Sequence, residues 1–568
     1  MLTSGLMNSF IEKALLLAAI TILPCLTIYR LFFGVDFTDE SYWIVMGLRF
    51  ARGDKPFVDE LFINQTGALI TLPLIKAFYH IRNGTDGIVL YSRLLYFLSS
   101  LFVAYAIYAC LSTRFPKITS LLMALPAVLI LPLNIPNLGY NSIGSLGFML
   151  GVFSGLTALW GKRRVPLLIA GIAHALSVIA YPPLLIPVFF FFTILVFKST
   201  KRFVSLALYG LGFFMTVAAF LPVFLSAADA LTDSMRYTTT SFDHGGGIRK
   251  LVLVLQHMFY SNVRMRMVLL LLCTTGILLL RPKFQKFGSF LLLFFPISFV
   301  ALFTDVMFTQ IWFVFYFALL FPLWFLFSPE SKENKDLFFY IWAPSFVASL
   351  TIGWSSSSAP INGVLGLPAA FIVSALLFYS LLPKPWALFS HLSLLVLLLL
   401  TQFSGKAFYR DGNFSQLTYP IPSGPYQGLF TTPEKYRYLE EITRDIRRYD
   451  NQHGRIVFYE FPAGYLISSM RPGINSAWIR NISRGKDYYL RYYERHSHPD
   501  NIVFEIRWLF HEKDLGFLVE YNDEDALHRY LKKTHHAVLL RDNYTVLKPK
   551  PVQPEPKMIQ SAVHRRYQ

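Results

Sequence analysis

Long apolar runs separated by short polar segments fill the chain up to residue 402. A helix needs about 20 apolar residues to cross the bilayer, and many runs approach or exceed this length. We therefore predict an α-helical polytopic membrane protein with about thirteen transmembrane helices. The predicted spans are 14–33, 87–111, 117–135, 141–160, 165–179, 181–198, 203–225, 266–280, 286–304, 309–328, 336–353, 363–382 and 386–402. At Pro182-Pro183, a single kinked helix would give the same pattern as two spans.

Basic residues recur in every second loop between these runs. The basic loops contain Arg114 and Lys117; Lys162, Arg163 and Arg164; Lys198, Lys201 and Arg202; Arg281, Lys283 and Lys286; Lys332 and Lys335; and Lys384. The short intervening loops 133–140, 305–310 and 354–362 contain no Lys or Arg. Because cytoplasmic loops carry the excess of Lys and Arg, this alternation predicts a cytoplasmic N-terminus and an extracytoplasmic C-terminus.

Two of the predicted outer loops, 34–86 and 226–264, are much longer than the others. Each contains a candidate amphipathic helix, over residues 68–79 and 251–259. Helices that lie in the membrane interface suit proteins that handle lipid head groups. A purely structural role, sealing the bundle, explains them equally well.

After Phe403 the sequence becomes charged and aromatic. Thr432-Pro433 predicts the start of a helix, with a cap and a proline at the first helical position. We predict strands over residues 455–460 and 536–540 and a helix over 523–533. Residues 542–545 are predicted to form a turn that leads into a last strand. We therefore predict a transmembrane domain over 1–402, an extracytoplasmic α/β domain over 403–547 and a disordered basic tail over 548–568.

Composition and charge agree with the membrane class. Of the 568 residues, 54% are hydrophobic and only 15% charged, where a soluble chain has about 25% charged residues. The net charge of +18 does not indicate nucleic-acid binding, because the basic residues follow the loop pattern. The three cysteines all lie in apolar runs, which excludes a disulfide framework and a thiolate metal cluster. The first run is too long for a signal peptide and is predicted to be retained.

An acidic pair, Asp39-Glu40, directly follows the first predicted span. Asp59 comes later in the same loop, and Arg93 lies in the second span. A carboxylate at a membrane boundary is costly unless it faces a polar cavity or a partner. Such a carboxylate can act as a general base toward a hydroxyl. For Asp39 alone, a solvated loop acid that caps a helix is the simpler interpretation. The full pattern of acidic and basic residues favours the general base instead.

That full pattern resembles the GT-C superfamily of polyprenyl-phosphate-sugar-dependent glycosyltransferases, which includes protein O-mannosyltransferases and lipid A aminoarabinose transferases. The resemblance implies that Asp39 deprotonates the acceptor hydroxyl. It also implies that Glu40 and Asp59 support it, either by orientation or by holding a divalent cation such as Mg or Mn. Residues 62–67 stand where family members often carry a proline-rich segment, and this departure leaves the donor subclass open.

A phosphate leaving group needs cationic stabilisation. The candidates on the outer side are Arg93, Arg236, Arg249, Lys250, Arg264 and Arg266. Candidate sugar- or acceptor-binding residues are Tyr42, Gln65, Asn137, Tyr140 and Asn141. Solvated loops, lipid anchoring and ordinary packing are the competing explanations for each of them. No metal-binding residues are assigned, because the histidines lack further ligands at suitable spacing.

The predicted function is an inverting transfer of a sugar from a polyprenyl-phosphate donor to an acceptor hydroxyl at the outer face of a bacterial inner membrane. The expected partners are the lipid-linked sugar, membrane lipids and a glycan, lipid or protein acceptor, and nucleic acid is not expected. A transporter or flippase of lipid-linked precursors is the first alternative, although it would need ionisable residues deep within several spans. A non-catalytic membrane assembly protein is the second.

Overall fold

The computed structural model describes residues 2–161, 164–198, 202–240, 252, 309–327, 335–356, 359–381, 384–404, 407–451, 453–479, 486–506 and 526–551. The predicted spans 266–280 and 286–304 lie outside these residues, as does nearly all of the predicted surface helix 251–259.

Helices make up almost all of the described chain up to residue 400. They are α1 Leu2–Arg30, α2 Asp39–Ala51, α3 Gln65–Arg82, α4 Ile88–Leu111, α5 Lys117–Ala124, α6 Pro126–Leu129, α7 Tyr140–Gly161, α8 Val165–Ala180, α9 Leu185–Lys198, α10 Arg202–Ser226, α11 Ala228–Thr240, α12 Thr309–Phe327, α13 Lys335–Ser355, α14 Ala359–Gly363, α15 Pro368–Leu381 and α16 Lys384–Leu400. Within α13, residues Phe338–Trp342 form a single π-helical turn.

Four of these helices have the length and apolar composition to cross a membrane: Ile88–Leu111, Tyr140–Gly161, Phe203–Ser226 and Lys335–Ser355. Several others, such as Val165–Ala180 and Ser390–Leu400, are apolar but shorter. The chain is therefore compatible with a helical membrane protein.

Two predicted boundaries were tested by the backbone. Tyr181, with φ −140° and ψ 89°, separates α8 from the next helices, so the predicted split before Pro182 is confirmed. The predicted span 117–135 is wrong as one helix, because α6 ends at Leu129 and Ile130 is extended. Pro126 lacks an N–H and interrupts the hydrogen bonding between α5 and α6, and Pro132 begins a separate short 3₁₀ turn.

The segment between α1 and α4 folds into α2 and α3, which pack against each other. The helix predicted over 68–79 is confirmed, and it extends to 65 and 82. It ends where Asn83 takes a left-handed conformation with φ 50°, which asparagine tolerates at a helix C-terminus. Residues Glu40–Phe50 of α2 are all buried, so this part of the loop is packed core rather than solvated chain.

After α16, two short strands pair antiparallel, β1 Tyr419–Pro420 with β2 Phe430–Thr431. The remaining elements are α17 Pro433–Tyr449, β3 Arg455–Tyr459, α18 Gly464–Ile467, β4 Arg471–Pro472, α19 Lys486–Arg495, β5 Ile502–Ile506, α20 Ala526–Thr534, β6 His535–Leu540 and β7 Tyr544–Pro549. The strands form one sheet in the order β4-β3-β5-β7-β6. The first three run parallel, and β7 is antiparallel to both of its neighbours.

Most predicted elements of this region agree with the structure; the first residues of the helix predicted over 523–533 lie outside the described residues, and α20 covers the rest. The Thr432 hydroxyl accepts a hydrogen bond from Lys435 N and caps α17, as its sequence indicates. The strands predicted at 455–460 and 536–540 correspond to β3 and β6. Strand β7 runs to Pro549, so the sheet continues two residues into the predicted tail.

Side chains along β3 and β5 alternate between the two faces of the sheet, and helices pack on both faces. Ile456, Phe458 and Phe504 pack with Ile442 and Ile446 of α17. The opposite side chains of the same strands pack with α19 and α20: Val457, Tyr459 and Val503 contact Tyr489, Tyr493, Leu527 and Leu531. The core on the α17 face continues into α2, because Trp43, Ile44 and Val45 belong to the same cluster. One hydrophobic core thus joins the sheet to the segment that precedes α4.

His535, at the start of β6, predicts a pH dependence of stability. It is buried, with Nε2 2.8 Å from the Tyr493 hydroxyl, and burial lowers its pKa to about 4. An unfolded chain binds this proton at about pH 6.5, so the folded state loses stability as pH falls from about 6.5 to 4. We expect a loss of roughly 1–2 kcal/mol between pH 7 and 5 in thermal unfolding of the detergent-solubilised chain.

The variant His535→Gln should remove this part of the pH dependence. The exposed His498 offers a matched control, since His498→Gln should leave it unchanged. Identical pH dependence in His535→Gln and the unmodified chain would contradict the assignment.

Candidate functional site

The start of α2 is shaped by a carboxylate three residues before it. Asp36 Oδ1 accepts hydrogen bonds from Thr38 N at 3.0 Å and the Thr38 hydroxyl at 2.6 Å. Its Oδ2 accepts from Glu40 N at 2.8 Å. The first N–H groups of a helix have no partner within it, and a negative charge there is favourable. Asp36 therefore fixes the first turn, in which the acidic pair stands.

Glu40 forms a buried, two-pronged ion pair with Arg93 of α4. Arg93 Nε donates to Glu40 Oε1 and Nη2 to Oε2, both at 2.7 Å. The side chains are 1% and 3% exposed. The guanidinium also donates to the carbonyls of Leu31, Phe33 and Gly34. Arg93 is therefore committed to holding the chain between α1 and α2, and its predicted role as a phosphate ligand is not favoured by this geometry.

Asp39 points in a different direction from Glu40, because successive residues of an α-helix lie about 100° apart around its axis. Its side chain is 27% exposed. Asp39 Oδ2 accepts a hydrogen bond from the Tyr409 hydroxyl at 2.7 Å and lies 3.3 Å from Arg410 Nη1. The predicted base thus reaches solvent, beside a hydroxyl and a guanidinium from the segment after α16.

Arg410 is held by its backbone, which has a left-handed φ of 54°. The buried Lys435 ammonium donates to the carbonyls of Arg410 and Val35. Beside it, Asp411 Oδ2 accepts from Val35 N at 2.6 Å and from the Thr431 hydroxyl at 2.7 Å. These contacts tie the segment that carries Arg410 to the chain just before α2.

Two residues of the sheet region complete the site. Trp478 Nε1 donates to Glu460 Oε2 at 3.0 Å, and Glu460 directly follows β3. Arg410 Cζ lies 5.8 Å from the centre of the Trp478 ring. Tyr42, a predicted sugar-binding residue, lies against the same indole, with 5.7 Å between ring centres. We call Asp39, Tyr409, Arg410, Glu460 and Trp478 the Asp39 cluster.

The charges of the cluster shift the pKa values of its members. Burial and the Asp39 carboxylate raise the pKa of the Tyr409 hydroxyl well above its usual value, so this group is a hydrogen-bond donor to Asp39. Burial works to lower the pKa of the Arg410 guanidinium, but Tyr409 and the carboxylates of Asp39, Asp36 and Glu460 together raise it. Arg410 therefore stays cationic at every relevant pH.

A small polar cavity lies at the Glu40–Arg93 pair. It measures about 10 Å³, and its lining includes Arg30, Asp36, Glu40, Arg93 and Tyr409. This is room for about one water molecule. A single water there would have several charged and polar partners.

Two other predicted residues hold the turn before α3. Asp59 Oδ1 accepts from the Tyr492 hydroxyl at 2.7 Å, and its Oδ2 from Lys55 N at 2.7 Å. Gln65 is fully buried, accepts from Phe57 N at 2.7 Å and donates to the Glu60 carbonyl at 2.8 Å. These contacts are those of structural residues.

The predicted residues near α7 are also mostly buried. Asn137 donates from Nδ2 to the Glu40 carbonyl at 3.2 Å and accepts from the Ser92 hydroxyl, so it braces the turn that carries Asp39. The Tyr140 ring lies 5.8 Å from Trp43 and 5.4 Å from Tyr181. Asn141 is 2% exposed, and its side-chain oxygen has no hydrogen-bond partner among the described residues.

Only some of the basic residues predicted to bind the donor phosphate lie among the described residues. Arg236 is exposed on α11, whereas Arg249, Lys250, Arg264 and Arg266 lie outside the described residues. Across the described ranges, no group of three or more His, Cys, Asp or Glu is arranged to hold a metal ion. Both oxygens of Glu40, which was predicted to support a divalent cation, already bind Arg93.

Sequence reasoning did not find Asp36, Tyr409, Arg410, Glu460 or Trp478. A usable signal existed for Arg410, since a basic residue with an acid on its C-terminal side follows the last apolar run. Glu460 and Trp478 meet Asp39 only through long-range folding, for which one sequence carries no pattern.

Comparison with known proteins gives no relatives: no protein-family model matches the chain, and no curated protein matches it.

The buried Glu40–Arg93 pair yields a direct stability prediction. Arg93→Ala leaves a buried carboxylate without its partner, which typically costs about 3–5 kcal/mol. We expect the thermal unfolding midpoint in detergent to fall markedly. The double variant Glu40→Ala/Arg93→Ala should be less destabilised than the sum of the two single variants.

Arg437→Ala serves as the control, because Arg437 forms an exposed pair with Glu434 and such pairs contribute little. Additive effects of the two buried substitutions would show that the pair is not coupled.

Proposed function

We propose that this chain is a membrane glycosyltransferase that moves a sugar, with inversion, from a polyprenyl-phosphate donor to an acceptor hydroxyl. In this proposal about thirteen helices span a bacterial inner membrane. The Asp39 cluster and the α/β region that follows α16 then lie on its outer face. The proposal rests on the GT-C resemblance of the first segment and on the geometry around Asp39.

The observation that carries the proposal is the placement of Asp39. It is a partly exposed carboxylate at the end of an apolar helical region, next to a guanidinium and a tyrosine hydroxyl. Its neighbour in sequence, Glu40, is 1% exposed and neutralised by Arg93. The acidic pair is thus divided into one structural carboxylate and one that can meet a substrate.

The chemistry needs a base and a cation. The Asp39 carboxylate takes the proton of the acceptor hydroxyl, and the acceptor oxygen forms a bond to the anomeric carbon. The bond from that carbon to the phosphate oxygen breaks, and its electron pair stays on the phosphate. Arg410 is the cation placed to stabilise this charge. When Arg410 turns from Asp39 toward the phosphate, the carboxylate loses its ion pair and becomes more basic.

The apolar helices suit the same proposal. The lipid of the donor requires a membrane-embedded enzyme, and the long apolar helices are compatible with one. The transport and assembly alternatives do not require a base at Asp39, so the same substitution separates them from the enzyme.

The decisive variant is Asp39→Asn, which keeps the size of the side chain and removes its basicity. We expect transfer of radiolabelled sugar from membrane polyprenyl phosphate to fall at least 100-fold, within the range general bases contribute. Arg410→Ala should lower the rate about 100-fold or more, as loss of a charge-stabilising donor does. Glu434→Gln, on the exposed side of α17, is the control and should keep full activity.

The same assay in sealed spheroplasts tests the topology, because added periodate should oxidise a product on the outer face. Full transfer by Asp39→Asn, present in the membrane at normal level, would exclude the proposed base. Protection of the product from periodate would exclude the proposed sidedness.

A further inference from the structure

We propose that the exposed side of α3 binds anionic phospholipids, with its apolar stripe in the bilayer and its flanking basic side chains on lipid phosphates. The partner is the bulk phospholipid around the chain, and phosphatidylglycerol is the probe that represents it. This inference is independent of glycosyl transfer, because it uses only the surface of α3 and the contacts of α3 with α4.

The second half of α3 is packed on one side and open on the other. Ile75 is 3% exposed and lies against α2, where a Cβ on Gly47 would come within 3.3 Å of its side chain. Leu74 and Ile81, by contrast, are 41% and 82% exposed, and Ala77 between them is also exposed. Residues three and four positions apart share one face of a helix. These three side chains therefore form a single exposed apolar stripe.

Basic side chains flank this stripe. Successive helical residues lie about 100° apart, which places Lys76 and His80 on one side of the stripe and Arg82 on the other. All three are exposed, and α3 contains no Asp or Glu. Within the described ranges, neither Lys76 nor Arg82 forms an ion pair. An apolar stripe with basic flanks is typical of a helix that lies in a membrane interface, where its cations meet anionic lipids.

Contacts with α4 set the depth of α3. The Tyr91 hydroxyl donates to the Leu74 carbonyl at 3.3 Å, and the Phe78 ring stacks on Tyr91 with 4.6 Å between ring centres. Tyr91 lies in the first turn of α4, which has the length and apolar composition to cross a membrane. The first turn of such a helix lies near the membrane–water interface, where tyrosine is enriched. Helix α3 therefore crosses α4 at the depth of the lipid head groups.

The exposed face of α4 leads up to this crossing. Tyr91, Leu94, Leu98, Phe102 and Tyr105 follow one another at helical spacing, and the last four are exposed. At 1.5 Å per residue this face is about 21 Å long, a large part of a hydrocarbon core of about 30 Å. Lipid chains that cover this face of α4 end at α3. The basic side chains of α3 are then level with the phosphates of the same lipids.

A purely structural helix that seals the bundle predicts a different outcome. Such a helix has no reason to prefer an anionic lipid over a neutral lipid with the same chains. The cations of α3 predict a preference, because each Lys or Arg near an anionic surface strengthens binding by about fivefold. Selectivity between lipids thus distinguishes the two roles.

Native mass spectrometry of the full chain in detergent measures this selectivity, with dioleoyl phosphatidylglycerol and dioleoyl phosphatidylcholine as probes. We expect phosphatidylglycerol to bind at least fivefold more tightly. The double variant Lys76→Gln/Arg82→Gln should lower the affinity for phosphatidylglycerol at least tenfold and leave that for phosphatidylcholine unchanged.

The matched control is Arg447→Gln/Arg448→Gln, which removes two exposed cations from α17 and changes the net charge equally. It should keep the affinity for phosphatidylglycerol. Both double variants change exposed side chains, so their thermal unfolding midpoints should stay at that of the unmodified chain. An equal loss of affinity in the control would show that net charge alone attracts the lipid and would overturn the assignment to α3.

Photocrosslinking locates the lipid directly. Phosphatidylglycerol with a photoreactive head group should label peptides that cover residues 74–82 of the full chain. Equal affinity for the two phospholipids, or labelling that leaves these peptides unmodified, would overturn the inference. Polyprenyl phosphate carries the same phosphate chemistry and is added as a competitor. If an equimolar amount displaces the label from α3, the occupant is the polyprenyl lipid, and the assignment to bulk phospholipid is wrong.

Discussion

The buried pair between Glu40 and Arg93 is the contact on which the rest of the site depends. Two charges are withdrawn from water, which is tolerable only because both carboxylate oxygens and every side of the guanidinium are satisfied. The pair joins α4 to the chain that leaves α1. With Glu40 fixed inward, the helical turn leaves Asp39 directed elsewhere, toward the surface. The position of the predicted base is thus a consequence of where its neighbour is buried.

The sheet region also helps to form the site around Asp39. Lys435 and Asp411 hold the segment after α16 against the start of α2, and this brings Arg410 to Asp39. A continuous hydrophobic core joins α2 to the sheet, so the two parts are packed as one body at this point. A site built by segments several hundred residues apart can respond to a substrate that touches both. In the proposed mechanism, Arg410 links donor binding to the basicity of Asp39.

Sequence reasoning succeeded where the signal is local. The spacing of apolar residues predicted α3. The Thr432-Pro433 cap predicted the start of α17 at the residue where the structure has it. The adjacency of Asp39 and Glu40 to a long apolar run drew attention to the first turn of α2. It could not show that Glu40 is buried against Arg93, because that pair forms only in the fold. It also missed Arg410 and Glu460, whose left-handed backbones and contacts across the fold leave no periodic trace. The helix break at Pro126 was hidden within an unbroken apolar run.

Chemical rescue shows directly whether Asp39 supplies a base at this site. The variant Asp39→Ala removes the carboxylate and leaves space that formate can occupy. Transfer of labelled sugar is measured in membranes with increasing formate, with Asp39→Asn as the comparison whose amide fills the space. If Asp39 is the base, Asp39→Ala is inactive alone and regains activity with formate, whereas Asp39→Asn does not. Full transfer by Asp39→Ala without formate would contradict it.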